Sequence, residues 1–222
     1  MKAVIFDLDG TLINSTIYFE EMKRRIIDYL QDAGVTRGLL SREMLNYEIT
    51  TRAVKDLQQK GFTKEYIKNV LTKINEIMNE VELQSLEGAT LVEGVPETLR
   101  FLKARNLKLG LMTRSCREYA ERILAKFELT RLFDAVSARD DVENPKPNPE
   151  HASHILRLLN VSADEALFVG DHWLDVDCAR KAGIRFILVG ARREQYAGRL
   201  QESGFKAIRD IRELPRFIEP DA

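Results

Sequence analysis

At 222 residues, with 44% hydrophobic and 31% charged side chains, the chain has the composition of a globular protein with room for one large domain, or a core domain and a smaller companion. A formal net charge of −1 offers no basic field for polymeric nucleic acid or an anionic membrane, and no apolar run approaches the roughly 20 residues of a membrane span. Two cysteines, Cys116 and Cys178, make neither a disulfide framework nor a metal cluster, and without a signal-peptide pattern a cytoplasmic location is the expectation.

Val4, Ile5 and Phe6 form an apolar run of β-branched and aromatic character, which predicts a strand buried on both faces. The run ends in Asp7 and Asp9, followed by Gly10 and Thr11. In open α/β sheets ligands bind beyond the carboxyl ends of the strands, which puts both carboxylates where a site would form. Taken alone, Asp9-Gly10 reads equally well as a plain turn, because short motifs recur by chance.

From Ile17 the period becomes helical. Ile17, Met22, Ile26, Leu30 and Ala33 predict one helix that stops at Gly34. Leu40, Met44, Tyr47, Thr51, Val54 and Leu57 predict a second, closing near Gly61. A third begins at a Thr63 cap and runs through Tyr66, Val70, Ile74, Ile77, Met78 and Val81. No strand pattern interrupts this block, which is expected to be a small helical bundle with its own apolar seam.

Beyond Leu91 strands and helices alternate. Pro96 suits the first turn of a helix over 97–104, and 107–113 reads as a strand. Ser115 with Glu118 predicts a capping box for the helix containing Tyr119, Ile123 and Leu124. A short strand over 133–137 follows, then a helix opened by Asn148-Pro149, a buried strand over 166–170, and a helix that stops at Gly183. A strand over 184–189 and helices over 195–202 and 211–218 complete the pattern, the last capped by Asp210 with Glu213. Such alternation predicts an α/β fold, a Rossmann-like doubly wound parallel sheet to which the first strand belongs. The expected division is a core of residues 1–14 and 88–222 with an all-helical insertion, 15–87.

The strand ends of that sheet share one chemical character. The first carries Asp7 and Asp9, the next ends in Thr113, and Lys146 follows the third between Pro145 and Pro147, which restrict the backbone. The fourth ends in Gly170-Asp171, with Asp175 four residues on. Gathering so many carboxylates at one edge is costly without compensating charge, and a hard cation held by oxygens supplies it. The set suits phosphoryl transfer. A carboxylate nucleophile splits one displacement into two through an aspartyl-phosphate, and a second carboxyl moves the proton. Magnesium, Lys146, the Thr113 hydroxyl and backbone amides would neutralise the oxygens of the transferring group. No histidine is needed. His151 and His154 are expected at the surface, Trp173 as packing under the loop, and His172, beside Asp171, is a minor candidate for touching substrate.

In this arrangement the chain resembles the haloacid dehalogenase superfamily, in its phosphoglycolate-phosphatase-like branch with a helical cap. Asp7-Leu8-Asp9-Gly10-Thr11 matches that family's first motif, Thr113 the second, Lys146 the third, and Gly170-Asp171 through Asp175 the fourth. The resemblance implies that Asp7 is the nucleophile and Asp9 the general acid/base. It also implies that Asp7, Asp171 and the backbone carbonyl of Asp9 hold Mg2+, with Asp175 supporting the metal from behind. Gly10, Thr11, Thr113, Arg114 and Lys146 are the corresponding phosphate or substrate contacts. The chain departs from the family in Asn14-Ser15, where Asp-Ser is common, in Arg114, and in His172-Trp173. Arg114 reads equally as a donor to a substrate anion and as a solvated side chain.

The implied activity is hydrolysis of a small phosphorylated metabolite. A phosphomutase of the same branch is the enzymatic alternative, and a non-catalytic binding or regulatory protein on the same fold is the other. A dehalogenase is disfavoured, since Asp9 has a task only where a leaving alkoxide must be protonated. Substrate choice is expected in the helical insertion, where Tyr18, Arg24, Arg25, Arg52 and Lys55 are candidate contacts. Neither substrate nor oligomeric state follows from the residues.

Overall fold

The computed structural model describes residues 1–218 and contains two compact units, residues 16–87 and the remainder. In chain order the elements are β1 (Ala3–Phe6), β2 (Ile13–Asn14), α1 (Phe19–Asp32), α2 (Asn46–Gln59), α3 (Lys64–Gln84), β3 (Thr90–Leu91), α4 (Val95–Ala104), β4 (Lys108–Met112) and α5 (Arg117–Lys126). They continue with β5 (Ala135–Ser137), α6 (Pro149–Leu159), β6 (Ala166–Gly170), α7 (Trp173–Ala182), β7 (Arg185–Val189), α8 (Ala197–Ser203) and β8 (Lys206–Ile208).

Among the described residues, the larger unit carries a six-stranded sheet in the order β5-β4-β1-β6-β7-β8 with every neighbouring pair parallel. β1 lies between β4 and β6, and its four residues are fully buried, which is why its run is apolar without alternation. Ile5, Met112, Phe168, Phe186 and Leu188 pack with Ile155 and Leu159 of α6 and Val176 and Ala179 of α7. The chain leaves and rejoins this unit through a two-residue antiparallel ribbon, β2 with β3. Strand order reverses beside β1, so its carboxyl end lies at the crevice where such sheets bind ligands.

The smaller unit is helical throughout. α1 packs on α2 and α3, and Met22, Ile26, Leu30, Ile49, Leu57, Val70, Ile74 and Val81 fill its interior. Among the described residues no helix is long and apolar enough to cross a membrane.

Four expectations need correction. α2 starts at Asn46 rather than near Leu40, because Glu48 reaches back to the Leu45 N–H at 2.8 Å and caps the helix there. β8 is an edge strand whose lone buried side chain, Ile208, leaves no apolar run to read. Residues 211–217 form a 3-10 helix rather than an α-helix, since Pro215 inside the segment has no N–H to continue an α pattern. The predicted Ser115–Glu118 box is also absent. α5 begins after Cys116, its first N–H is taken by Asp140 Oδ1 at 2.9 Å, and Ser115 is used elsewhere.

Candidate active site

Each strand end delivers its side chain for a local reason. Asp7 follows β1 directly, and its N–H extends the ladder to the Val169 carbonyl at 2.9 Å. Lys146 enters on the loop before α6, fully buried, with Nζ 2.6 Å from Asp7 Oδ1 and 2.7 Å from Asp175 Oδ1. Asp175 sits in the first turn of α7, where its other oxygen accepts the His172 N–H at 3.1 Å. Asp171 leaves β6 one residue past Gly170, and its Oδ2 accepts from Arg192 Nη1 at 2.6 Å. The buried carboxylates of Asp7, Asp171 and Asp175 place oxygens within 4.8 Å of one another.

Two glycines make that crowding possible. A Cβ on Gly170 would stand 2.6 Å from Asp175 Oδ2. Gly10 has φ +90°, and a Cβ there would meet Asp171 Oδ2 at 2.4 Å, so the backbone after Asp9 runs directly over Asp171.

The electrostatics follow from burial. Burial pushes the Asp7 carboxyl well above its ordinary range, against the pull of the Lys146 ammonium, and the charges of Asp175 and Asp171 add to the rise. Burial and then repulsion from Asp175 push Asp171 up to about 7, although Arg192 and Lys146 oppose it. Burial works against the charge on Lys146, but Asp175 and Asp7 outweigh it and hold the ammonium protonated.

Asp9 stands in different company. It is partly exposed, its Oδ2 accepts from Ser115 Oγ at 2.7 Å, and its Oδ1 accepts from Tyr119 OH at 3.3 Å. Both of these donors are neutral hydroxyls. Thr113 is buried at the end of β4, where its hydroxyl oxygen accepts the Ser115 N–H at 3.0 Å. The Thr11 hydroxyl is buried with no hydrogen-bond partner among the described residues. Arg114 donates a guanidinium N–H to the Lys146 carbonyl, so part of its fork orders the loop.

The structure thus brings Asp7, Lys146, Asp171 and Asp175 into one cluster and holds Asp9 beside it on separate partners. Five residues in or beside the site escaped the sequence. Ser115 and Tyr119, read as a helix cap and a core aromatic, both hold Asp9. Arg192 pairs with Asp171 from the turn after β7, a contact no motif announces. His151 and His154, expected at the surface, are not there: His151 is fully buried and bonds the Lys146 loop, and His154 is half-buried with Nδ1 2.7 Å from Ser137 Oγ. The period of α6 was available as a signal, since His151, Ile155 and Leu159 lie four residues apart on its inner face. His172 caps α7 through its ring, accepting the Leu174 N–H at 3.3 Å, while Trp173 lies half-buried under Arg199 at 4.8 Å.

The donor set fits a hard divalent cation. Three buried carboxylates converge, two of them pushed up by burial and then by their acidic neighbours, and the Gly10 turn brings backbone alongside Asp171. Oxygen donors without sulfur or imidazole favour magnesium over softer metals.

Residues 4–189 match the family model of haloacid dehalogenase-like hydrolases. The chain is 30% identical to a pyrophosphatase, PpaX, of Bacillus cereus over 83% of this chain and 81% of that protein. It is also 30% identical to a phosphorylated carbohydrates phosphatase of Thermotoga maritima, with 84% of each covered. A hydrolase from Pseudomonas syringae of known crystal structure has the same fold, with a TM-score of 0.66 over 98% of each chain at 22% identity. The chain belongs to the haloacid dehalogenase-like hydrolase family.

Proposed function

We propose that this hydrolase is a magnesium-dependent phosphatase that acts on a small phosphorylated metabolite through an aspartyl-phosphate on Asp7. The observation that carries the reading is the contrast at one strand end: Asp7 clamped by Lys146 at 2.6 Å within an acidic cluster, and Asp9 held apart by Ser115 at 2.7 Å. An Asp7 oxygen attacks phosphorus while the bond to the leaving oxygen breaks, and Asp9 gives that oxygen its proton. Asp9, now a base, takes a proton from water. The water oxygen attacks the same phosphorus, and phosphate leaves as Asp7 returns to a carboxylate.

Lys146 aims the nucleophile and opposes the protonation that burial favours, because its buried ammonium binds an Asp7 oxygen at 2.6 Å. Thr113, the Thr11 hydroxyl and the backbone at Gly10 would bind phosphoryl oxygens, a role supported by the lack of any protein partner for the buried Thr11 hydroxyl among the described residues. Asp7, Asp171 and the Asp9 carbonyl would hold Mg2+, with Asp175 securing Lys146 behind them. When bound, the metal supplies positive charge against the transferring group. The names of relatives, a pyrophosphatase and a phosphatase of phosphorylated carbohydrates, support a small phosphorylated substrate and leave its identity open.

The helical unit, inserted between the first and second motifs, is proposed as a cap that selects substrate. Of its candidate contacts, Arg24 is paired with Glu21 and Asp28, Arg25 with Glu80, and Tyr18 is two-thirds exposed.

Hydrolysis of a chromogenic phosphate monoester with and without magnesium tests the reading. The wild type should need the metal, and Asp7→Asn should release no phosphate. Equal release by both proteins removes Asp7 as nucleophile. Isomer formation from a sugar-1-phosphate with a bisphosphate primer, without phosphate release, would replace the hydrolase by a mutase. A panel of phosphoglycolate, sugar phosphates, nucleotides and pyrophosphate then identifies the substrate.

A further inference from the structure

Behind Lys146, α6 carries a histidine with both ring nitrogens engaged. His151 Nδ1 lies 3.2 Å from the Lys146 backbone nitrogen, whose N–H can only donate. Nδ1 therefore presents its lone pair, and the ring proton sits on Nε2, 3.1 Å from the Ser137 carbonyl, which can only accept. The two partners select one neutral tautomer. Burial, and then the nearby Lys146 charge, lower the pKa of His151 to about 3, so the ring stays neutral where the protein works.

The Ser137 carbonyl also accepts the Thr113 N–H at 3.0 Å. A continuous path then joins Thr113, Ser137, His151 and Lys146. Its ends are the two residues that face the transferring group in the proposed reaction, and they arrive on separate segments, the end of β4 and the loop before α6. Pro145 and Pro147 have no N–H to give, so the Lys146 N–H is the anchor this stretch of loop can offer.

We propose that His151 is a positioning residue for phosphoryl transfer, its neutral imidazole setting the distance between the Thr113 and Lys146 backbones and thereby seating the Lys146 ammonium on Asp7. The role rests on the phosphatase reading of the site. It needs an acceptor at the Nδ1 position and a donor at the Nε2 position, a requirement no apolar core residue meets.

Two substitutions separate positioning from packing. In His151→Asn the amide oxygen falls near Nδ1 and keeps the acceptor for Lys146 while losing Ser137. In His151→Gln the amide nitrogen falls near Nε2 and keeps Ser137 while losing Lys146. Each variant forfeits one buried hydrogen bond, so their melting temperatures should fall together. Turnover should not: kcat of the Asn variant is expected within about three-fold of wild type and that of the Gln variant about ten-fold or more lower, with KM little changed in both. Equal kcat losses in the two variants overturn the proposal. The ring of the wild-type protein provides a reading that needs no variant and no activity. Nitrogen-15 NMR should find neutral Nε2–H imidazole from about pH 5 to 8, and a protonated ring or an Nδ1–H tautomer overturns the proposal. A wild-type protein that releases no phosphate from any substrate rejects the phosphatase reading instead, and leaves the tautomer measurement standing.

Discussion

The two units of this protein handle charge in opposite ways. In the α/β unit Asp7, Lys146, Asp171, Asp175, Arg139 and His151 are all buried. Among the described residues of the helical unit, the buried polar side chains are Glu82 and Ser85. Its ion pairs, such as Lys73–Glu76 at 2.8 Å and Lys60–Asp56 at 2.7 Å, lie at the surface. Surface pairs contribute little to stability, whereas burying ionised groups costs several kcal/mol each unless partners repay it. A chain keeps such a cluster where chemistry needs it, and here that is the carboxyl end of the sheet. The helical unit carries the apolar seam and solvated faces of a small bundle, consistent with a part that selects rather than reacts.

Matched substitutions in the two units test this contrast. The largest effect is expected in the reacting pair. Asp9→Asn should slow hydrolysis of alkyl phosphates by about 10²–10⁴-fold and that of aryl phosphates much less, because an aryl oxide leaves without a proton. A loss independent of the leaving group would mean that Asp9 is not the acid. Lys146→Met should lower turnover by about 10²–10³-fold and destabilise the metal-free protein by roughly 3–5 kcal/mol, since Asp7 and Asp175 lose their shared cation. Tyr119→Phe removes the longer of the Ser115 and Tyr119 hydrogen bonds to Asp9 and should cost only a few-fold in kcat, on the scale of about one ordinary hydrogen bond.

A pH experiment isolates the acidic cluster. Asp171 has its carboxyl raised to about 7 in the fold, so the folded protein holds a proton that the unfolded chain releases near the ordinary aspartate value. Its contribution to stability therefore declines as pH rises from about 4 to 7. The melting temperature of metal-free Asp171→Asn should climb relative to wild type over that window, and a difference that stays flat contradicts the raised carboxyl. The smallest effect belongs to the helical unit. Arg25→Ala breaks the surface pair with Glu80 and should move the melting temperature by no more than about a degree or two. A large loss there would collapse the distinction between the units.

Sequence alone determined the fold class, because the period of the apolar residues is local. A continuous run at Val4–Phe6 marks a strand buried on both faces, and three-to-four-residue spacing between Ile17 and Val81 marks helices. It also determined which carboxylates stand at strand ends, since Asp7, Asp9 and Asp171 directly follow apolar strands and Asp175 stands one helical turn beyond. Helix ends were legible where the capping partner lies close in sequence, as at Thr63, Asn148 and Asp210. They were not legible at α5, where the cap comes from Asp140, 23 residues away.

What only the tertiary structure decided are the partners that arrive from elsewhere in the chain. Ser115 reaches Asp9 across 106 residues, Arg192 reaches Asp171 across a crossover, and His151 turns inward because α6 packs its inner face on the sheet. Each of these residues has an ordinary local reading, as a cap, a surface cation or a surface histidine. A hydrogen bond is set by distance and direction between groups, and a linear pattern carries neither once the partners lie on different elements.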